Sequence, residues 1–251
     1  MEICQKTLPF KPWMQAKTRR LPGIQPVAKG EWLLRDDAFA AQMAYRDALI
    51  ANRLNDVFRA EPASLPMQEE LLETVLAELS EAHRTGKRPD GVQVPLVGPP
   101  LLTAARLVQE DLLIMDMAAE PRLTAGVLCF PASWSLAEKF GAGLEAIHGY
   151  IDEYTEEMAA RVRRMFDAIR PEQPLWRANF LRYAEADLHQ PRRNAEPKPM
   201  PKSGGFVRVE RQTLRKLPRT GAVVFGIHTY VTPWNQLSHA EQSVFTEASD
   251  D

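Results

Sequence analysis

The 251-residue chain is 45% apolar and 25% charged, values ordinary for a folded protein and ample for a real core. Its formal net charge of −2 gives no reason to expect nucleic acid or an anionic membrane as a partner. No apolar run approaches the roughly 20 residues of a membrane span. Two cysteines, Cys4 and Cys129, exclude a disulfide framework, and Lys6, Lys11 and Lys17 interrupt any signal-peptide core, so a cytoplasmic protein is expected.

Residues 1–30 are rich in Pro, Lys and Arg and read as an irregular arm that Phe10 and Trp13 pin to the body. A helix is expected from about Asp37, because Phe39, Met43, Ile50, Leu54 and Val57 form one apolar stripe. Arg46 and Asp47 interrupt that stripe for one turn. Pro66 opens a second amphipathic helix carrying Met67, Leu71, Val75 and Leu79. Seven Gly and Pro residues between Gly86 and Pro100 mark a boundary.

The second half changes texture. Asp111–Asp116 and Leu123–Phe130 read as short strands, followed by a Gly-containing mixed segment from Ser135 to Tyr150. A third helix is expected from about Asp152, with Tyr154, Met158, Val162, Met165 and Ile169 on its stripe. Three further strands are Trp176–Tyr183, Phe206–Leu214 and Ala222–Val231, the first two separated by a Pro-rich loop over 190–205. Strands grouped at both ends around helices predict an α+β fold with an antiparallel, five-stranded, PAS-like sheet, helices on one face and a helical region before it. The expected organisation is an N-terminal arm and helical region over 1–95, a ligand-binding domain over 96–235 and a polar tail over 236–251.

Among the five histidines, His83, His189 and His239 read as solvated. His148, on an apolar surface at a helix entry, fits either a hydrogen-bonded core residue or a ligand to a metal or haem iron. His228 shares a strand face with Val224, Gly226 and Tyr230; a strand glycine beside it marks close approach of a ligand or another backbone, or plain packing around a hairpin. Gly141-Ala142-Gly143 lacks the preceding strand that a dinucleotide site needs, and no phosphate loop, zinc-protease motif or nucleophile elbow is present. The remaining polar candidates are Glu185, Glu210, Arg208 and Arg211. Strand alternation places Arg211 with Val207 and Val209, and Arg208 with Glu210 on the other side. An arginine on an apolar face needs a partner, either a carboxylate of the protein or one of a ligand.

These residues resemble the haem-dependent oxidative N-demethylase alpha-subunit-like family, from about Leu8 to Tyr230. The resemblance is carried by Leu8-Pro9-Phe10, Leu21-Pro22-Gly23, Trp32, Asp36, Gln42-Met43, Arg46, Cys129-Phe130-Pro131, Trp134, Glu138-Lys139 and Ile147-His148. Its most specific stretch is Glu210-Arg211-Gln212-Thr213-Leu214 with Leu217-Pro218 and Gly221 to Phe225. The chain departs from the family's pattern after His148, at Asn179-Phe180 and at Ile227-His228-Thr229-Tyr230, the last offering a second candidate ligand.

The resemblance implies a haem-dependent oxygenase that uses O2 to remove an N-methyl group from a small secondary amine, dimethylamine-like, releasing formaldehyde. Haem b is the expected cofactor, with His148 as axial metal ligand and Arg208 and His228 as further cofactor-binding candidates. Arg211, Glu210 and Glu185 are the catalytic candidates. No flavin or iron–sulfur segment is recognisable, so electrons are expected from a separate flavin/iron–sulfur reductase; an oligomer is left open. The alternatives are a haem-PAS sensor without turnover and a structural subunit without haem.

Overall fold

The computed structural model describes residues 3–19, 23–148, 156–193, 196, 199–201 and 203–250; the side chains of Glu145, His148, 156–161, 249 and 250 lie outside that description. One antiparallel sheet organises the chain. Its strands are β1 (Gln25–Pro26), β2 (Phe58–Ala60), β3 (Asp111–Asp116), β4 (Arg122–Val127), β5 (Leu175–Tyr183), β6 (Phe206–Lys216) and β7 (Val223–Pro233). They lie in the order β1-β5-β6-β7-β3-β4-β2. The sheet therefore has seven strands rather than the expected five. The two additions are edge strands of two and three residues, too short for alternation to show, and Pro26 is tolerated in β1 because an edge leaves its nitrogen unneeded.

The helices are α1 (Ala16–Arg19), α2 (Phe39–Asn52), α3 (Leu54–Val57), α4 (Leu65–Glu78), α5 (Pro100–Ala105), α6 (Leu136–Lys139), α7 (Leu144–His148), α8 (Glu156–Ala168) and α9 (His239–Asp250). They cover both faces of the sheet, a correction to the expectation of one. On one face Leu49 of α2, Leu71 and Val75 of α4 and Leu101 and Ala104 of α5 pack with Leu112, Ile114 and Val224. On the other, Leu136 of α6, Leu144 of α7 and Phe166 of α8 pack with Leu113, Met115, Leu214 and Ile227. The first cluster joins residues from Val27 to Val231, so the helices before residue 95 share the sheet's core.

The interrupted stripe of α2 has a physical cause. Arg46 is fully buried and donates from Nη1 to Asp111 Oδ1 at 2.7 Å and from Nη2 to the Gln109 carbonyl at 2.8 Å. Asp111 also accepts from the amides of Cys129 and Phe130, so one carboxylate ties α2 to the start of β3 and the exit of β4. The arm is pinned as expected: Trp13 is 1% exposed against Phe180 and Phe245. Phe245 belongs to α9, so the expected polar tail contributes a buried ring. Gly221, at φ +71°, turns the β6–β7 hairpin, whose Arg219 and Thr220 amides donate to the buried carboxylate of Glu70.

Candidate functional site

Register across β5, β6 and β7 builds a wall whose apolar end packs under α6, α7 and α8. Leu175, Leu214 and Phe225 form an apolar row. Arg177, Gln212 and Ile227 form the next row, then Asn179, Glu210 and Thr229, then Leu181, Arg208 and Val231. The wall thus grades from apolar to strongly polar. Such a surface suits a ligand with one greasy and one charged end.

Arg208 is 1% exposed and Glu210 3%. Arg208 donates to the carbonyls of Leu188 and Phe130 and, at 3.2 Å, to Glu210 Oε1. Gln212 Nε2 donates to the other oxygen of Glu210 at 3.1 Å. The pair is held rigidly by neutral donors and acceptors around it, which a buried ion pair requires. Arg177, which the sequence reading did not single out, is half-buried on the same wall. Burial pushes its guanidinium pKa down, and the charge of Glu210 opposes that push. Among the described residues Arg177 has no hydrogen-bond or ion-pair partner, and its Nε, Arg208 Nε and Thr229 Oγ1 are buried without one.

The helix carrying His148 docks on this face through Leu144 and Ile147. Lys139 of α6 fastens it, donating from Nζ to the Ile147 carbonyl at 2.6 Å. The side chain of His148 lies outside the described residues, as do residues 149–155 just beyond it.

Arg211 and His228 lie on the opposite face. Arg211 donates to the carbonyls of Trp32 and Glu31 at 3.4 and 2.7 Å and stands over the Trp176 ring. The partner demanded by its apolar setting is therefore the backbone of the N-terminal segment. His228 is fully buried, with Nδ1 3.0 Å from Glu110 Oε1 and Nε2 3.0 Å from Asp36 Oδ2. Desolvation alone pushes its pKa down, but the two carboxylates reverse this and raise it to about 9. Both ring nitrogens of His228 are thus engaged by carboxylates of the protein itself. The close approach expected at Gly226 is intramolecular: a Cβ there would lie 2.7 Å from the Thr213 hydroxyl.

Glu185 is exposed in the loop after β5, apart from the wall. His189, expected in solvent, is 7% exposed, with Nδ1 2.8 Å from the Cys129 carbonyl. A carbonyl only accepts, so the proton is on Nδ1 and Nε2 carries the lone pair; Nε2 is buried and without a partner among the described residues. The sequence signal for this was Leu188-His189-Gln190-Pro191, a histidine entering a proline-rich loop next to a leucine that the core claims.

A family model described as haem-dependent oxidative N-demethylase, alpha subunit-like, matches residues 23–249. The chain belongs to this family. No curated protein matches it. For an N-demethylase alpha-subunit-like chain, the wall fits the group that the family name implies. Two guanidiniums face one carboxylate, and the unpartnered buried donors suit an anionic ring substituent beside an apolar surface. In this family member Arg211, Gln42, Arg46 and Asp36, all part of the sequence resemblance, converge on the opposite face, where Gln109 Nε2 bridges Asp36 Oδ1 and Gln42 Oε1. No described helix is long and apolar enough to cross a membrane.

Proposed function

We propose that this chain is the haem-carrying subunit of an oxygenase that demethylates a small secondary amine. For a dimethylamine-like substrate, one amine, O2, two electrons and two protons give the primary amine, formaldehyde and water. The observation that carries this reading is Glu210: a buried carboxylate on a wall that ends, two rows away, in an apolar row, in a chain of a haem-dependent amine-oxidising family. Haem b, when bound, supplies the one-electron and O2 chemistry that no side chain provides. The PAS-like description is retained for the five central strands, where the first, β3, lies between the second and the last.

In this reading His148, the last residue of α7, would hold the haem iron. Glu210 holds the substrate ammonium through a charge-assisted hydrogen bond, and Arg208 fixes its carboxylate in place. The apolar row of Leu175, Leu214 and Phe225 accepts methyl groups and excludes water. Arg211 and His228 serve the N-terminal segment, and Glu185 takes no part. Electrons come from a separate flavin/iron–sulfur reductase.

The test is reconstitution with haem b. A Soret band, its perturbation by dimethylamine, and formaldehyde released with O2 and a chemical reductant are the expected results. A Soret band without amine response or formaldehyde replaces the oxygenase with a sensor, and no Soret band ends both readings.

A further inference from the structure

Arg177 is the unassigned charge on the wall. It projects from β5 on the same face as Glu210 and Arg208, in the row next to Glu210. Glu210 is already satisfied: Arg208 donates to one oxygen and Gln212 to the other. Arg177 thus stands beside a completed ion pair as a second cation. Among the described residues it has no partner of its own, and its Nε is out of reach of solvent. A half-buried guanidinium without a counter-ion is costly, and proteins keep one where an anion arrives. Arg208 Nε and Thr229 Oγ1, buried on the same wall and unpartnered among the described residues, add two further donors.

We propose that Arg177, backed by Arg208 and Thr229, is the anchor for a haem propionate, and so sets which way round haem enters the site. This rests on the haem reading above. The ligand chemistry is a carboxylate on an otherwise apolar ring. The apolar row of Leu175, Leu214 and Phe225 lies immediately next to Arg177. A planar guanidinium binds such a carboxylate through two parallel N–H groups, so lysine is an imperfect substitute.

The test compares ferric haem b with its dimethyl ester, in which both propionates are blocked, by Soret titration of the full chain. The wild type is expected to bind haem b about 10- to 100-fold tighter than the ester, the range for hydrogen bonds to a charged group. This measurement needs no variant, so a folding defect cannot obscure it. Arg177→Gln is expected to weaken haem b binding by a similar factor while leaving ester binding unchanged, and Arg177→Lys to recover part of the loss. Equal binding of haem b and ester by the wild type, or an undiminished preference in Arg177→Gln, overturns the anchor and leaves the oxygenase reading standing. Absence of a Soret band with either porphyrin overturns both.

Discussion

Arg211 and His228 are directly paired across β6 and β7, and both reach away from the wall to hold the N-terminal segment. Arg211 takes the carbonyls of Glu31 and Trp32, and His228 takes the carboxylates of Asp36 and Glu110. The sheet thus divides its labour by face: one side fastens residues before α2, and the other carries Glu210, Arg208 and Arg177.

The His228 pairing makes stability depend on pH. An ordinary histidine titrates near 6.5, and here the value is raised to about 9. Folding therefore favours the protonated form. The contribution, on the order of 3 kcal/mol, is fully present below about pH 6.5 and is lost as pH rises through about 9. Denaturant unfolding at pH 6 and pH 9.5 is expected to show that decline, and His228→Gln to remove it. A wild-type curve flat over this range contradicts the assignment.

Arg211 and Glu210 lie on opposite faces, and the roles proposed for them differ accordingly. Arg211→Met is expected to cost about 2–3 kcal/mol of stability, through the unpaired carbonyls, while leaving haem spectra unaltered. Glu210→Gln is expected to keep the haem spectrum and lose the response to dimethylamine. Paired urea melts and amine titrations decide it, and an amine response that survives in Glu210→Gln removes that residue from the substrate site.

The iron ligand is tested by His148→Ala, which is expected to abolish axial histidine ligation in the low-temperature EPR spectrum. If ligation survives, the assignment passes to His189, whose Nε2 lone pair is free among the described residues, and not to His228. Lys139→Met releases the Ile147 carbonyl and is expected to weaken haem retention about tenfold, read as the rate of haem transfer to apomyoglobin.

Arg46→Met leaves Asp111 without its cation in a fully buried position. A loss of about 3–5 kcal/mol is expected, enough to lower the expression of folded protein and the melting temperature. A melting curve indistinguishable from the wild type's contradicts the role given to this ion pair.

Long periodic segments were legible in the sequence. The helix stripe of Leu71 and Val75, the strand from Asp111 to Asp116 and the β6–β7 hairpin all lie where pattern and turn residues placed them, because each is specified by its own side chains. The alternation along β6 also separated Arg211 from Glu210 correctly. What it did not reveal was that Arg177, Arg208 and Glu210 share one wall. Arg211 drew attention as an arginine among valines, yet its partners are carbonyls about 180 residues earlier in the chain. Arg177 passed unnoticed, because in Trp176-Arg177-Ala178-Asn179 it reads as an ordinary solvated strand residue. His189 reads as solvated because it enters a Pro-rich loop, yet the core claims it.

The chain's own sequence determined its family, its principal helices and strands, and the two-sided character of β6, all properties of local pattern. Tertiary structure alone decided that helices cover both faces, that His228 is clasped by two carboxylates, and that Arg177 has no hydrogen-bond or ion-pair partner among the described residues. Each of these depends on which distant groups share a dry interior, where a missing or present partner shifts a charge by several kcal/mol. No local pattern carries that information.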